Sequence, residues 1–554
     1  MFRGDQVNRS ATRSDNSNSN FLIENVLSYR RVVNKKHSIN AVGGFSYQRW
    51  NNKASSITST NFPTDVLSFN AFSLASNPGN FLTINKIRAL ASVISRLNYA
   101  FDKRYLFTLT GRYDGASRLS VGNKWQLFPS VGLGWNVSNE SFFAGLSRQI
   151  QLFKLRASYG VAGNENIAIG ATQGRYDFDY GTIGSAILPS YIIDDIANPN
   201  VKWEKTKQLN IGVDLGLLNN KLSLTVDVYK KNTTDLLINL PLPTSSGISN
   251  YFTNIGEVTN KGVDVELGYK ILKRNVSLDL GANFSVFDNK VLSMGANGVV
   301  YGRSYLSGGA VALNQSVQVA KVGFPISSFW GYKTAGVYQD AAEVAKGPEA
   351  GSARPGQVIF VDTNGDGQIT DADKTIIGNP SADFTYGFNA SLSYKKFNLS
   401  MTMYGSQGNQ LINMNKWVIG INYASGNDKN GYNQWQESFD NRWTGPGTSN
   451  LYPAATTNAY GPRLNSRFPD WMVEDASFLR LQNVQLGYTF NFPGRFKITG
   501  LKTYISATNL FTITGYKGYD PNINAFGHES LASGVDFGTL PQARTFSAGL
   551  ELTF

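Results

Sequence analysis

The chain has 554 residues and a net charge of +12 at pH 7, from 51 Lys and Arg against 39 Asp and Glu. It contains no Cys and only two His, which excludes disulfides and thiolate metal sites and leaves little for imidazole-based catalysis. Its basic residues occur as pairs in short turns, such as Lys35-Lys36, and not as one patch, so no nucleic acid is expected as a partner. No apolar run approaches the roughly 20 residues of a transmembrane helix.

The first residues, Met1-Phe2-Arg3-Gly4-Asp5, lack the basic and apolar regions of a secretory signal peptide. We therefore expect that export information has been removed or that the chain begins inside a longer protein. Residues 1–19 are assigned to an extracellular loop that precedes the first strand.

Apolar and polar residues alternate along most of the chain, which predicts β-strands with one apolar and one polar face. Near the C-terminus, for example, Phe546, Ala548 and Leu550 alternate with Ser547 and Gly549. Fifteen such segments follow one another, at about 20–33, 37–49, 88–101, 104–116, 124–137, 150–160, 203–217, 220–231, 260–272, 275–288, 383–395, 397–409, 478–491, 500–512 and 543–554.

The lengths of these segments and of their connections indicate a membrane barrel. A strand tilted across a bilayer needs about 9–11 residues, whereas strands of soluble sheets commonly have about 5–6. Short turns such as 102–103 and 273–274 alternate with long loops, of which 289–382 is the longest. We predict an all-β transmembrane antiparallel β-barrel over 20–554, with short periplasmic turns and long extracellular loops. A soluble β-sandwich, which would not sort its loops in this way, is the alternative.

Polar and aromatic positions on these strands have two interpretations each. Arg112, Asp114, Asp227 and Glu551 are expected on the lumen side, either simply hydrated or in contact with a solute. The aromatic residues of the strands are assigned to interfacial girdles in preference to ligand platforms. Aromatic residues in the loops stack on sugars or serve ordinary loop packing; they are Trp330, Tyr332, Trp417, Trp435 and Trp443.

Short stretches along the whole chain carry a family resemblance through their order and spacing. They are Gly111–Leu119, Phe128–Trp135, Leu155–Asn164, Trp203–Thr206, Asn260–Asp264, Phe478–Leu481, Asn509–Phe511, Tyr519–Pro521 and the terminal Phe554. With these stretches the chain resembles the C-terminal barrel portion of a SusC/RagA-like TonB-dependent transporter of the Bacteroidetes outer membrane.

The resemblance implies partners that this chain does not contain. Family barrels have about 22 strands around a plug, so about seven strands and the plug would come from another chain or segment, as expected for a split gene product, a fragment or a partly represented protein. It also implies a SusD-like surface lipoprotein, energy from TonB through that plug, a glycan or peptide substrate, and the lipid bilayer.

The loop from Asp362 to Asp373 has the spacing of an EF-hand calcium loop. Calcium prefers six to eight oxygen ligands, and such loops supply them from positions one, three, five, seven and twelve, with a glycine at position six, in this chain Gly367. The predicted ligands are the side-chain oxygens of Asp362, Asn364, Asp366 and Asp373 and the backbone carbonyl of Gln368. Asp replaces the usual bidentate Glu at position twelve. The alternative is a turn whose carboxylates only cap backbone amides. Calcium would have a structural role.

The leading functional hypothesis is energised import of oligosaccharides or peptides across the outer membrane. A plug-less structural or docking subunit of an outer-membrane complex is the alternative. A hydrolase is disfavoured, because His37 and His528 do not belong to any paired catalytic motif. We therefore predict that the chain is not an enzyme.

Overall fold

The computed structural model describes residues 10–62, 70–77, 79, 81–184, 186–241, 250–295, 298–302, 304–305, 313–420, 434–455, 467–492, 499–527, 529 and 531–553. Strands predominate in this part of the chain. None of its helices has the length and the apolar character that crossing a membrane requires.

In chain order, the strands are β1 (Ser10–Val33), β2 (His37–Thr60), β3 (Phe81–Phe101), β4 (Tyr105–Ala116), β5 (Trp125–Asn136), β6 (Ile150–Asn164), β7 (Arg175–Ile183), β8 (Ala186–Asp195), β9 (Glu204–Leu217), β10 (Leu222–Thr234), β11 (Leu237–Pro241), β12 (Asn250–Asn254), β13 (Glu257–Lys273), β14 (Val276–Ser293), β15 (Val299–Tyr301), β16 (Ser304–Tyr305), β17 (Leu313–Ser316), β18 (Gln318–Lys321), β19 (Ser328–Gly331), β20 (Thr334–Val337), β21 (Val358–Phe360), β22 (Thr375–Gly378), β23 (Phe384–Tyr394), β24 (Phe397–Gln407), β25 (Gln410–Asn413), β26 (Val473–Asp475), β27 (Phe478–Asn491), β28 (Gly500–Thr514), β29 (Val535–Asp536) and β30 (Thr545–Thr553). The α-helices are α1 (Ala341–Lys346) and α2 (Gln436–Asp440), with a π-helix at Lys416–Gly420. Short 3-10 helices lie at Phe72–Leu74, Val121–Asn123, Val137–Asn139, Ser141–Leu146, Asp371–Asp373 and Asp470–Met472.

Fifteen strands form one sheet, in the order β1-β2-β3-β4-β5-β6-β9-β10-β13-β14-β23-β24-β27-β28-β30. Antiparallel ladders join neighbours, as between β14 and β23, where Val276 pairs with Tyr394 and Val286 with Phe384. Each of the fifteen predicted segments corresponds to one of these strands, so the predicted strand order is confirmed. β1 and β30 stand at the two ends of this order.

The first strands extend further than the apolar alternation predicts. β1 begins at Ser10, so residues 10–19 of the predicted N-terminal loop belong to a strand, while residues 1–9 lie outside the described part of the chain. The added length is polar, and the hydroxyls of Thr12 and Thr58 hydrogen bond across the β1–β2 pair at 2.9 Å. Backbone pairing thus continues beyond the point where an apolar face is needed.

The two faces of the sheet differ in chemistry. Large apolar side chains stand exposed at alternating positions, and Ile505 and Ile513 on β28 are 61% and 63% exposed. Such a surface is unfavourable in water but matches the hydrocarbon of a bilayer. The opposite face carries Asn, Ser, Thr and charged side chains, as the alternation predicts.

Tight turns join neighbouring strands where the sequence predicts short connections. Asn34 and Lys35, between β1 and β2, have φ of +50° and +57°, and Asp102 and Lys103, between β3 and β4, have +51° and +56°. Asn and Asp tolerate this left-handed region better than most residues. The Asp102 N–H also donates to the Lys36 carbonyl at 2.7 Å, which connects the two turns.

The chain divides into two compact units, and the first comprises residues 1–134, 158–207 and 233–255. Its core consists of the buried side chains of Ala116, Leu119, Phe128, Ile167, Ala171, Val201 and Trp203. Phe128 and Trp203 meet edge to face with ring centroids 5.2 Å apart.

The second unit comprises residues 135–157, 208–232 and 256–554. Its long connections fold around a buried cluster that we call the loop core: Val317, Phe329, Tyr332, Val358, Phe360, Ile369, Ile412, Met414, Trp417, Phe468, Met472 and Val535. Small sheets surround this cluster, in the orders β15-β18-β19-β22 and β26-β25-β29. The predicted long loop 289–382 starts only after Ser293, where β14 ends, and contains strands of its own.

Candidate functional site

The predicted metal loop is held by its own side chains. Asp362 accepts hydrogen bonds from the N–H groups of Gly365 and Gly367, both at 2.7 Å. These glycines have φ of +76° and +79°, a conformation that favours residues without a Cβ. Asn364 accepts from the Asp366 N–H at 2.9 Å and donates its amide to the Asp366 carboxylate at 2.9 Å. Positions one, three and five therefore form successive side-chain-capped turns.

Position twelve is anchored more deeply. The carboxylate of Asp373 is fully buried and accepts the N–H groups of Thr363 at 2.9 Å and Thr370 at 2.7 Å. Burial acts to raise the pKa of this carboxyl, but the backbone hydrogen bonds outweigh it and hold the pKa below its ordinary value. Asp373 thereby joins the two ends of the loop.

The metal prediction remains a prediction. Within the described residues, no group of three or more His, Cys, Asp or Glu side chains is placed to hold a metal ion. Two of the five predicted ligands, the Asn364 amide oxygen and the Gln368 carbonyl, are not among those side-chain types. The carboxylates cap amides, as the alternative interpretation expects, yet a carboxylate oxygen that accepts one N–H retains a second lone pair.

Two of the loop aromatic residues are structural. Tyr332 and Trp417 are 2% and 3% exposed and lie in the loop core, so ordinary packing explains them. The Tyr332 hydroxyl donates to Asp371 at 3.0 Å, and burial together with this carboxylate raises the Tyr332 pKa. Trp330 is only half-buried, with the Lys321 ammonium 4.8 Å from its ring centroid.

An arginine bridges three strands on the polar face. Arg156 on β6 donates to Asp214 on β9 at 2.9 Å and to Asp227 on β10 at 3.0 Å, in each case through two N–H groups. A Cβ at Gly212 of β9 would lie 2.7 Å from the Arg156 guanidinium carbon and 2.5 Å from the Asp227 carboxylate. The bridge therefore depends on the missing side chain at Gly212. The sequence placed Asp227 on the polar face but did not indicate this partner.

The other predicted polar positions also form ion pairs. Arg112 donates its Nε to Asp114 at 2.7 Å and a terminal N–H to Ser92 at 3.0 Å. Glu551 lies 3.6 Å from Lys502 and remains largely exposed. Local ion pairing is therefore seen at all three positions, and Asp114, at 7% exposure, is buried and not simply hydrated.

In the first unit, residues of the stretches that carry the family resemblance contact neighbouring loop residues near the strand ends. Arg118 pairs with Glu165 at 2.9 Å and donates to the Ile167 carbonyl at 2.7 Å. Burial raises the pKa of Glu165, against the opposing effect of Arg118. The indole N–H of Trp203 donates to the Lys124 carbonyl at 2.9 Å. These contacts hold the strand ends against the adjoining loops.

In the second unit, two further stretches are joined by a buried ion pair. Arg480 on β27 and Asp520 are 2% and 3% exposed and hydrogen bond at 2.5 Å. Arg480 also donates to Thr512 at 2.9 Å and to Gln542 at 3.1 Å. Asp520 in turn accepts the N–H of Asn522 at 2.9 Å. Both charged residues lie in stretches that carry the family resemblance, but a pairing across forty positions leaves no signal in a single sequence.

A fifteen-stranded sheet with an exposed apolar face, tight turns and folded long connections defines an outer-membrane β-barrel protein. The chain belongs to the family of TonB-dependent receptor-like β-barrels, whose model matches residues 2–365.

Known relatives agree with this assignment. The chain is 32% identical to TonB-dependent receptor P3 of Formosa agariphila, over 100% of this chain and 54% of that protein. It is 30% identical to TonB-dependent receptor SusC of Bacteroides thetaiotaomicron, over 84% of this chain and 44% of that protein. The solved structure of the RagAB peptide transporter matches 99% of this chain and 56% of its own chain, with 25% identity and a TM-score of 0.78. The chain thus spans about half the length of the curated relatives it matches.

These findings confirm the resemblance to SusC/RagA-like proteins and the outer-membrane location. The relatives are receptors and transporters and not enzymes, in agreement with the expectation from the sequence.

Proposed function

We propose that this chain forms the larger part of the barrel of a TonB-dependent importer that brings oligosaccharides or peptides across the outer membrane. The observation that carries the proposal is the match over 99% of the chain, at a TM-score of 0.78, to a solved peptide transporter. The exposed apolar face supports a position in lipid, and the polar face supports passage of a hydrated solute.

The importer would need further strands and a plug. β1 and β30 end the order of the sheet, and an open sheet edge in lipid would leave N–H and C=O groups without partners at several kcal/mol each. About seven strands and the plug, from another chain or segment, would complete the roughly 22-stranded barrel. A SusD-like lipoprotein would rest on the long loops, and TonB would act through the plug.

Uptake measurements test this function. Disruption of the gene should abolish uptake of a labelled oligosaccharide or peptide pool, and loss of TonB should have the same effect. Affinity purification from outer membranes should recover a SusD-like lipoprotein together with this chain. Unchanged uptake after disruption, with loss of a membrane complex, would instead support the docking subunit.

We also propose that the loop from Asp362 to Asp373 binds calcium. Support comes from the side-chain oxygens at positions one, three and five and from the two glycines with positive φ at positions four and six. At the millimolar calcium expected outside the cell, a site with a dissociation constant of about 10⁻⁴–10⁻³ M would be occupied. Bound calcium would lower the entropy that the loop loses on meeting a partner.

Calcium titration of the native protein, followed by hydrogen exchange of this loop, tests the site. Asp362→Ala and Asp366→Ala should remove the calcium-dependent protection. Asp371→Asn is the matched control, because Asp371 lies in the same loop but outside the ligand set. Protection that does not respond to calcium in the unmodified protein would favour the capped turn.

A further inference from the structure

A cavity of about 620 Å³ lies in the second unit, against the polar faces of β14, β23 and β24. Residues 521–524 and 533–534, from the connection between β28 and β30, also line it. Its volume lies within the roughly 300–1,000 Å³ of small-molecule sites. The described residues that line it include Asn, Ser, Thr and aromatic side chains but no Asp, Glu, Lys or Arg.

The strand side of the cavity has an unusual pairing of Asn with Gly. Asn283 on β14 pairs with Gly387 on β23, and Gly281 pairs with Asn389. A Cβ at Gly387 would lie 2.7 Å from the Asn283 carboxamide oxygen, and a Cβ at Gly281 would lie 2.3 Å from that of Asn389. Each carboxamide therefore lies across a glycine on the neighbouring strand.

Both carboxamides remain available to a ligand. Asn283 and Asn389 are exposed to the cavity, and no described residue hydrogen bonds to either side chain. Thr402 on β24 pairs with Asn389 in the β23–β24 ladder, and its side chain is also exposed. A carboxamide offers two donors and an acceptor, so this surface can both give and receive hydrogen bonds.

The loop side of the cavity is fixed in place. Asn522 donates its side-chain amide to the Tyr404 hydroxyl at 3.1 Å. Its backbone N–H donates to Asp520, which the buried Arg480 holds. The ring of Tyr404 meets Phe478 edge to face at 5.5 Å, which adds an aromatic side to the polar surface.

We propose that this cavity is a subsite for a neutral saccharide, which rests on the import function proposed above. Paired carboxamides match the vicinal hydroxyls of a sugar, each of which donates and accepts a hydrogen bond. The aromatic side matches the apolar face of a sugar ring. A short peptide with free termini, or a uronic acid, would bring charges that find no opposite charge in this cavity, at a desolvation cost.

Calorimetry on the native outer-membrane protein, purified in detergent with its bound partner chains, tests the subsite. The probes are neutral gluco-, manno-, galacto- and xylo-tetrasaccharides, tetragalacturonate, and tetra-alanine with free termini. At least one neutral tetrasaccharide should bind, and tetragalacturonate and tetra-alanine should bind at least about tenfold more weakly.

Variants separate this cavity from other surfaces. Asn283→Ala and Asn389→Ala should each weaken saccharide binding about tenfold, since each loses hydrogen bonds to the ligand. Asn389→Asp, which keeps the size but loses the donors, should weaken it as well. Asn398→Ala on β24 is the matched control, because Asn398 bonds to Ser393 and does not line the cavity. Heat-modifiable gel migration confirms that each variant is folded.

Three results would overturn the subsite: no binding of any neutral probe, equal binding of the charged probes, or binding that the Asn283 and Asn389 variants leave unchanged. Peptide binding without saccharide binding would reject the subsite but leave import intact. Uptake of oligosaccharides and peptides that continues unchanged after disruption of the gene would instead reject the import function.

Discussion

The fifteen-stranded sheet and the loop core use the same apolar residue types in opposite ways. Ile505 on β28 is 61% exposed, whereas Ile412 on β25 is completely buried. The sheet faces hydrocarbon, which is as apolar as the side chain itself, so exposure there has no hydrophobic cost. The loop core lies in segments that meet water, where burial of apolar area is the main stabilising contribution. One chain therefore follows two sets of packing rules.

Two ion pairs that both involve the sheet also differ in exposure. Arg480 on β27 and Asp520, in the connection between β28 and β30, are almost completely buried, while Lys270 on β13 and Asp279 on β14 are 69% and 45% exposed. Exposed pairs contribute little because water and salt screen them. A buried pair is different, because loss of one partner leaves the other charge without compensation.

The largest expected effect is therefore from the buried pair. Asp520→Ala should destabilise the connection between β28 and β30 by about 3–5 kcal/mol, because it leaves the Arg480 guanidinium buried and without an opposite charge. Hydrogen exchange over residues 516–524 measures this change. Asp279→Ala is the matched control and should cost about 0–1 kcal/mol. Equal effects of the two variants would contradict the contrast between buried and exposed pairs.

The next largest effect compares the two isoleucines directly. Ile412→Ala should cost about 2–5 kcal/mol, through lost burial and a cavity in the loop core. Ile505→Ala should cost less than about 1 kcal/mol, since lipid chains can replace the lost methyl groups. Thermal unfolding of the detergent-purified protein, monitored separately for loops and strands, measures both. A large loss at Ile505 would show that its side chain packs on protein and not on lipid.

The same contrast explains what the sequence could predict. The sequence predicts the strand segments because apolar and polar residues alternate along a strand with one apolar face, whether that face meets protein or lipid. The ends of the strands are harder to predict from the sequence. Thr12 and Thr58, whose hydroxyls hydrogen bond, lie where β1 and β2 continue to pair although the alternation of apolar and polar residues has stopped. The loop core has no period, and it forms from contacts such as Ile412 with Val535, far apart in the chain.

The candidate sites follow the same division. The turns of the Asp362–Asp373 loop are local, so the spacing alone predicts that its Asp and Asn side chains act together, either as calcium ligands or as caps of backbone amides. The bridge from Arg156 to Asp214 and Asp227 joins three strands, and its dependence on Gly212 appears only in three dimensions. The Asn283–Gly387 pairing likewise requires the register of β14 with β23.

A loss of stability of intermediate size is expected from a substitution at Gly212. Gly212→Val would place a side chain where the Arg156 guanidinium crosses β9, and overpacking of this kind costs about 1–3 kcal/mol. Gly43→Val on β2 is the control, because a Cβ there would meet no atom within 4 Å. Thermal stability of the folded barrel compares the two. A Gly212 variant as stable as the Gly43 variant would indicate that the bridge readily moves aside.

The smallest effect concerns the pH dependence of Asp373. Its carboxylate accepts the N–H groups of Thr363 and Thr370, which hold its folded-state pKa below the ordinary 3.8. The unfolded loop therefore binds more protons between these two values, and the free energy of unfolding of the loop rises with pH across that interval. The contribution is complete above 3.8 and is lost as the pH falls through the folded-state pKa.

Hydrogen exchange at Thr363 and Thr370, corrected for intrinsic rates, should accordingly show less protection at about pH 3 than at about pH 6. Asp373→Asn retains one acceptor oxygen but cannot ionise, so its protection should be weaker at both pH values and should not change between them. If the Asp373→Asn variant keeps the pH response of the unmodified loop, the titrating group is another one. Asp371 is then the nearest alternative. Burial acts to raise the pKa of Asp371, but Lys374 and Tyr332 outweigh it and lower this pKa. Asp371→Asn then separates the two carboxylates, since only Asp373 accepts amides from both ends of the loop.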